Sequence, residues 1–187
     1  MKNVKELHNI FNLTYMGLIA LWSALSWAKG QNGQDLATYV LFDCSYYVLD
    51  TIFIMSRPEI TKSPKLIIFH HVVSFGGAFG VAYHFPQLRY MLVELTLVDI
   101  NTWFMTLRRT LDKRNVVIEC LFYISWVVIR MLYYPYLLFK VYKRAEEGTV
   151  FVVILIMVIF LNVLNCKWSF DLFKKLFVGK EDHQHHL

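Results

Sequence analysis

Six apolar runs, each about as long as a bilayer is thick, leave this chain few ways to fold in water. They cover about residues 10–28, 36–55, 65–83, 88–107, 116–142 and 148–170. A hydrocarbon core of about 30 Å is crossed by a helix of about 20 apolar residues. Inside it every backbone polar group must be satisfied within the protein, so a chain with such runs crosses as helices. The least ambiguous run holds Thr149-Val150-Phe151-Val152-Val153-Ile154-Leu155-Ile156. Composition agrees: 57% of the 187 residues are hydrophobic and 18% charged, against about 25% charged in a soluble domain. The expectation is an all-α, multi-pass integral membrane protein, about six transmembrane helices forming one bundle. A single domain would fill residues 1–187, with its core at about 10–175 and a disordered tail at 176–187.

The connections are short and marked by turn residues. Gly30 and Gly33 lie in a polar stretch from Lys29 to Asp35, Pro58 and Pro64 bracket the next loop, and Pro86 stops the third run. The first run has a basic start, an apolar centre and a Ser26-Trp27-Ala28 ending, which faintly resembles a cleaved secretory signal. Trp22 and Trp27 fit an interfacial aromatic belt better, so the run is read as a retained span. With six spans, 13 of the 19 Lys and Arg fall on the side of both termini and 5 on the other, with Arg130 inside a run. The positive-inside rule then puts both termini in the cytosol. This placement also explains the net charge of +5, since the basic residues sit between apolar runs and do not form one exposed face that would bind nucleic acid. Cys44, Cys120 and Cys166 each fall inside an apolar run without close pairing, which argues against a disulfide framework or a zinc site. No internal repeat of the inverted-transporter kind is visible.

Against this apolar background the polar residues carry the information. Ionisable groups at membrane depth are expensive and mark a lined cavity or a functional site. The sharpest case is Phe69-His70-His71-Val72-Val73-Ser74, two adjacent histidines in the third run. His70 and Ser74 share a helix face, whereas His71 points about 100° away, so the two rings need not do the same job. In the second run Asp43 and Asp50 are seven apart, as are Glu94, Asn101 and Arg108 in the fourth, and residues at that spacing end only about 20° from a common face. Asp99 projects elsewhere by helical geometry. Such stripes should converge on a polar cavity.

Structural readings stand beside the functional ones. Asp43 and Asp50 can accept hydrogen bonds from Tyr46 and Tyr47. Glu94, Asp99 and Asn101 can brace helices through Arg130, and Arg130 with Pro135 can form a kink whose freed carbonyl the guanidinium satisfies. Histidine titrates near neutral pH and serves as acid, base or nucleophile. A metal is not expected: no His-Glu-x-x-His motif appears, and three of the seven histidines, His183, His185 and His186, lie in the polar tail.

Taken in order, Ser45-Tyr46-Tyr47-Val48-Leu49-Asp50, the His70-His71 pair, Glu94-Leu95-Thr96 with Asn101-Thr102-Trp103-Phe104, and Arg130 with Pro135 form a series. In this series the chain resembles the TLC-domain proteins (TRAM, Lag1 and CLN8), which include the ceramide synthases. The resemblance spans about residues 10 to 175 and is closer to the small TLC domain-containing branch. Ceramide synthases follow their His pair with a His-Asp-x-x-Asp stretch and a Leu-Glu sequence, which this chain does not reproduce.

The resemblance implies a six-helix bundle in the endoplasmic reticulum or another internal membrane, concerned with lipid synthesis, transport or sensing. In the enzyme form of that expectation, a fatty acyl-CoA acylates His70 or His71 or is attacked with their help. Asp50, Glu94, Asp99, Asn101 and Arg130 then orient the rings or bind substrate, and an amine-bearing lipid accepts the chain. Acyl-CoA is a substrate in that scheme, and no bound cofactor is needed. In the alternative form the chain binds or transports lipid, or regulates membrane composition, without catalysis. Membrane lipids are the expected partners, nucleic acid is not, and the sequence leaves oligomeric state open.

Overall fold

A computed structural model describes residues 2–29, 36–111, 113 and 115–177, and these residues are helical apart from short turns, with no strand among them. The helices are α1 (Lys2–Ala28), α2 (Leu36–Ser56), α3 (Pro64–His84), α4 (Arg89–Thr96), α5 (Val98–Thr110), α6 (Val116–Ser125), α7 (Tyr134–Tyr142) and α8 (Thr149–Phe177). Their boundaries follow local chemistry. Pro64 occupies the first turn of α3, where its missing N–H costs nothing, and α3 ends at His84, two residues before Pro86. Asn115 caps α6, its side-chain oxygen accepting from the Ile118 N–H at 3.2 Å. Gly148 precedes α8 at φ +144°, a conformation that residues with a Cβ rarely adopt.

Five described helices are long and apolar enough to cross a membrane: Val4–Ala28, Leu36–Ser56, Pro64–His84, Val116–Glu147 and Thr149–Lys174. The fourth of the six expected runs differs. It is interrupted at Leu97 and divides into α4 and α5, neither of which alone has spanning length. The cause is local. Thr96 Oγ1 donates back to the Leu92 and Val93 carbonyls at 3.0 and 3.1 Å, and the Ile100 N–H bonds three residues back to Leu97, tightening the turn.

The fifth run, in which Arg130 with Pro135 can form a kink, has residues 126–133 in π-helical geometry just before Pro135. A proline ring crowds the carbonyl four residues before it, and the wider turn accommodates that crowding without ending the helix.

The chain forms two compact units, Met1–Ile129 and Arg130–Leu187. In the first, α1 packs along α5, α2 along α3, and α5 against α6. Gly17 of α1 lets α5 come close: a Cβ there would lie 2.9 Å from Trp103 Nε1. In the second unit α7 packs on α8, and Asn162 Nδ2 donates to the Val158 carbonyl at 2.8 Å and the Tyr134 carbonyl at 3.4 Å. Helix faces turned away from these contacts carry large apolar side chains, such as Leu18, Leu21 and Leu25 on α1 and Val153, Ile156 and Val163 on α8. That pattern suits lipid as the surrounding medium. Helix α8 continues through residues 176 and 177, which were expected to begin the tail, and residues 178–187, with His183, His185 and His186, lie outside the described residues.

Candidate functional site

Inside the first unit the polar residues of α1, α2 and α3 meet around Asp50, which is 2% exposed. Its two carboxylate oxygens face two different histidines. Oδ1 lies 2.6 Å from His8 Nε2 and Oδ2 lies 3.6 Å from His71 Nδ1. His71 Nδ1 is also 3.3 Å from Thr51 Oγ1, on the residue after Asp50. Asn12, one turn along α1 from His8, places Nδ2 3.1 Å from His8 Nε2, and its Oδ1 accepts from the Tyr46 hydroxyl at 3.1 Å. Tyr46 and Tyr47 pack against the His71 ring at centroid distances of 5.8 and 5.5 Å, and Phe53 against the His8 ring at 4.8 Å. The result is a closed polar network, His8–Asp50–His71, walled by aromatic rings and buried from solvent.

The adjacent histidines have separate environments, as their 100° offset requires. His71 is buried against Asp50, while His70 is half-buried, with its ring centroid 5.6 Å from that of His71. Ser74 is buried on α3. Of the residues singled out in the sequence, Asp50 and His71 are brought together. His8 was not among them, although it supplies the shortest contact to Asp50.

The second polar group in this unit lies further along α2. The Tyr39 hydroxyl is hydrogen-bonded to Thr96 Oγ1 and ties α2 to α4. One turn on from this clamp, Asp43 of α2 and Asp99 of α5 are both buried and interact electrostatically. Along α5, Asp99 interacts with Asp43 of α2, whereas Asn101 and Arg108 bond to α6. Glu94 is buried on α4.

Asn101 is fully buried and donates to the Phe122 carbonyl at 3.1 Å and to Ser125 Oγ at 2.9 Å, fastening α5 to α6. Arg108 reaches the same helix, its guanidinium 4.3 Å over the Phe122 ring and Nη1 donating to the Tyr123 hydroxyl at 3.3 Å. Arg130 belongs to the second unit. There Nη1 donates to Asn165 Oδ1 at 2.6 Å, and the guanidinium sits 5.5 Å from the centre of the Trp168 ring. Among the described residues no three His, Cys, Asp or Glu come together in an arrangement that would hold a metal ion.

Geometry of this kind permits proton handling. A carboxylate between two imidazoles can stabilise a proton on either ring and fix which nitrogen of each faces outward. With His71 Nδ1 turned to Asp50 and Thr51, Nε2 is the nitrogen left for other work.

Comparison with known proteins places this arrangement in context. The family model described as the TLC domain matches residues 6–174. A curated rice protein, ASC1-like protein 3 of Oryza sativa subsp. japonica, is 22% identical over 160 residues, covering 74% of this chain. The chain spans 56% of the length of that relative. No solved structure matches.

Proposed function

Since the chain belongs to the TLC-domain family, whose members are typically lipid-related membrane proteins, we propose that it transfers a fatty acyl group from acyl-CoA to an amine-bearing lipid. The observation that carries this reading is the orientation of His71 by Asp50 and Thr51. In the proposed reaction His71 Nε2 attacks the thioester carbonyl. The carbon–sulfur bond breaks, CoA leaves as thiolate, and an acyl-imidazole remains. The lipid amine then attacks that carbonyl, the carbon–nitrogen bond to the ring breaks, and the amine proton passes to a base as the amide forms. Asp50 stabilises charge on the ring while His71 carries the acyl group. His70, less buried and adjacent, is assigned to polarising the carbonyl, and Glu94, Asp99 and Asn101 to shaping the acceptor side.

In the cell this reading has the chain in the endoplasmic reticulum or another internal membrane with both termini in the cytosol, following the distribution of Lys and Arg between the runs. Its partners are membrane lipids and a fatty acyl-CoA, without a bound cofactor.

The test is mass spectrometry of purified, lipid-reconstituted protein after incubation with a long-chain acyl-CoA, comparing wild type with His70→Ala and His71→Ala. An acyl adduct or acylated lipid that disappears in His71→Ala and is reduced in His70→Ala supports the proposal. Absence of both adduct and product from folded wild type overturns it.

A second reading is favoured by the closure of the network itself. His8, Asp50 and His71 are buried, and each histidine contacts Asp50, as a brace joining three helices would. On this reading the protein binds or transports lipid, or regulates membrane composition, without turnover. A lipid that co-purifies with wild type and both histidine variants, with no product, supports it.

A further inference from the structure

We propose that His8 is a positioning residue for His71: it donates its Nε2–H to Asp50 Oδ1 and so holds the other carboxylate oxygen where it keeps the His71 proton on Nδ1. Of the two contacts that Asp50 makes to histidine, the one to His8 is the tighter, 2.6 Å against 3.6 Å for His71 Nδ1. A nitrogen and an oxygen approach to 2.6 Å only with a proton between them, so His8 makes a hydrogen bond, whereas the contact to His71 is longer than one and acts through charge. A carboxylate can turn about its bond to Cβ. With Oδ1 held by His8, Oδ2 is aimed at His71.

The fold brings the three residues to one level. His8 lies six residues after Lys2 at the start of α1, Asp50 six before Ser56 at the end of α2, and His71 seven after Pro64 at the start of α3. His8 is itself fixed, with the Phe53 ring at 4.8 Å and Asn12 Nδ2 3.1 Å from its Nε2. Asn12 in turn bonds the Tyr46 hydroxyl at 3.1 Å, and the Tyr46 ring packs 5.8 Å from that of His71. An amide presents oxygen and nitrogen at like positions, so a turned Asn12 accepts from the His8 N–H while its nitrogen donates to the Tyr46 hydroxyl. The contacts close a loop through His8, Asp50, His71, Tyr46 and Asn12. His8, Asp50 and His71 are 9%, 2% and 5% exposed, so bulk water does not replace a donor lost from the loop.

The consequence is chemical. A neutral imidazole attacks through the nitrogen that carries no proton. The Thr51 hydroxyl, 3.3 Å from His71 Nδ1, can accept from that nitrogen or donate to it, so it suits either tautomer. The charge on Asp50 decides between them by favouring the proton on Nδ1. Without the His8 N–H, Oδ1 is a buried carboxylate oxygen short of a donor; the group turns or takes up a proton, and its hold on the Nδ1 proton weakens. His71 then moves toward the tautomer with its proton on Nε2, which cannot attack. This role rests on the use of His71 Nε2 in the acyl transfer proposed above, but its first test needs no substrate, so the two fail separately.

Nitrogen-15 NMR of the histidine-labelled full chain in lipid at neutral pH reads the tautomer, with each ring identified by the signals that His8→Gln or His71→Gln removes. Wild type should show a proton on His71 Nδ1, none on His71 Nε2, and a proton on His8 Nε2. His8→Leu, which removes the donor, should move the His71 proton to Nε2, and His8→Gln, whose amide N–H reaches about as far, should keep it on Nδ1. A brace that only holds helices together would leave the His71 signals alike in all three. Unchanged His71 signals in folded His8→Leu therefore overturn the proposal, as does a wild type with the proton on His71 Nε2. If His8→Leu does not fold, His8→Gln decides: the wild-type His71 pattern supports the proposal and a shifted one overturns it. Where wild type forms the acyl adduct, its rate of formation should fall about 10–100-fold in His8→Leu, the usual loss for an outer partner of a working imidazole, and recover in His8→Gln. Equal rates overturn the role of His8 and leave acyl transfer standing; the expected tautomer shift without any adduct supports His8 and removes acyl transfer.

Discussion

His8 Nε2 lies 2.6 Å from Asp50 Oδ1, so a residue near the start of α1 holds the carboxylate whose other oxygen faces His71. Both members of the contact are buried, which sets the energetics: removing either leaves the other polar and enclosed. The expected outcome is strong coupling between His8→Ala and Asp50→Asn. A double-mutant cycle on thermal or denaturant unfolding in detergent should give an interaction energy of about 0.5–3 kcal/mol. Additive single effects would show that the two side chains do not depend on each other.

Asn101 illustrates how neighbouring bonds limit a loss. It donates to the Phe122 carbonyl and Ser125 Oγ, yet that carbonyl also accepts from Ser125 Oγ at 3.0 Å and keeps a partner without it. Asn101→Ala should therefore cost only about 1–2 kcal/mol, within the range for side-chain hydrogen bonds between membrane helices. Asn101→Asp should cost more, because it turns a carboxylate toward a carbonyl oxygen and removes the amide donors. Equal stability of the Asp variant and wild type in a thermal-shift measurement would refute this account of how α5 is held to α6.

The spans could be read in the sequence because their signal is length, which packing does not alter: five runs of about 20 apolar residues appear as helices near the expected limits. Asp50 and His71 were also legible, since a charge amid Val48, Leu49 and Ile52 has few reasons to be there. His8 was not. It precedes the apolar run that begins at Ile10 and follows Lys5 and Glu6, so it reads as part of a solvated helix end. Only its spacing from Asn12, one helical turn, hinted at a polar face. The break at Leu97 was hidden for another reason. Threonine back-bonding depends on rotamer, which residue type alone does not specify.

Close contact between α1 and α5 depends on Gly17. A methyl group there would meet the Trp103 indole at 2.9 Å, closer than carbon approaches such a ring. Gly17→Ala is expected to destabilise the chain by about 1–3 kcal/mol, the usual cost of overpacking. Combining it with Trp103→Phe, which removes the obstructing part of the ring, should recover part of that loss. If the double variant is less stable than the two single effects sum to, the clash is not what Gly17 relieves.

Whether the interrupted segment α4–α5 crosses the membrane can be decided by the positions that flank it. Lys62 precedes α3, Gln87 lies between α3 and α4, and Lys113 follows α5; all three side chains are exposed. Helix α3 is long and apolar enough to cross by itself. Residues 89–110 have the combined length to cross despite the break, at about 1.5 Å per helical residue. If both segments cross, single-cysteine variants at Lys62 and Lys113, made in a background lacking the native cysteines, react with an impermeant maleimide from the same side of sealed vesicles. A cysteine at Gln87 then reacts only from the opposite side. Labelling of Gln87 and Lys113 from one side would instead make α4–α5 a re-entrant pair. The side that labels Lys62 also tests the assignment of that loop to the cytosol, which the excess of Lys and Arg predicts.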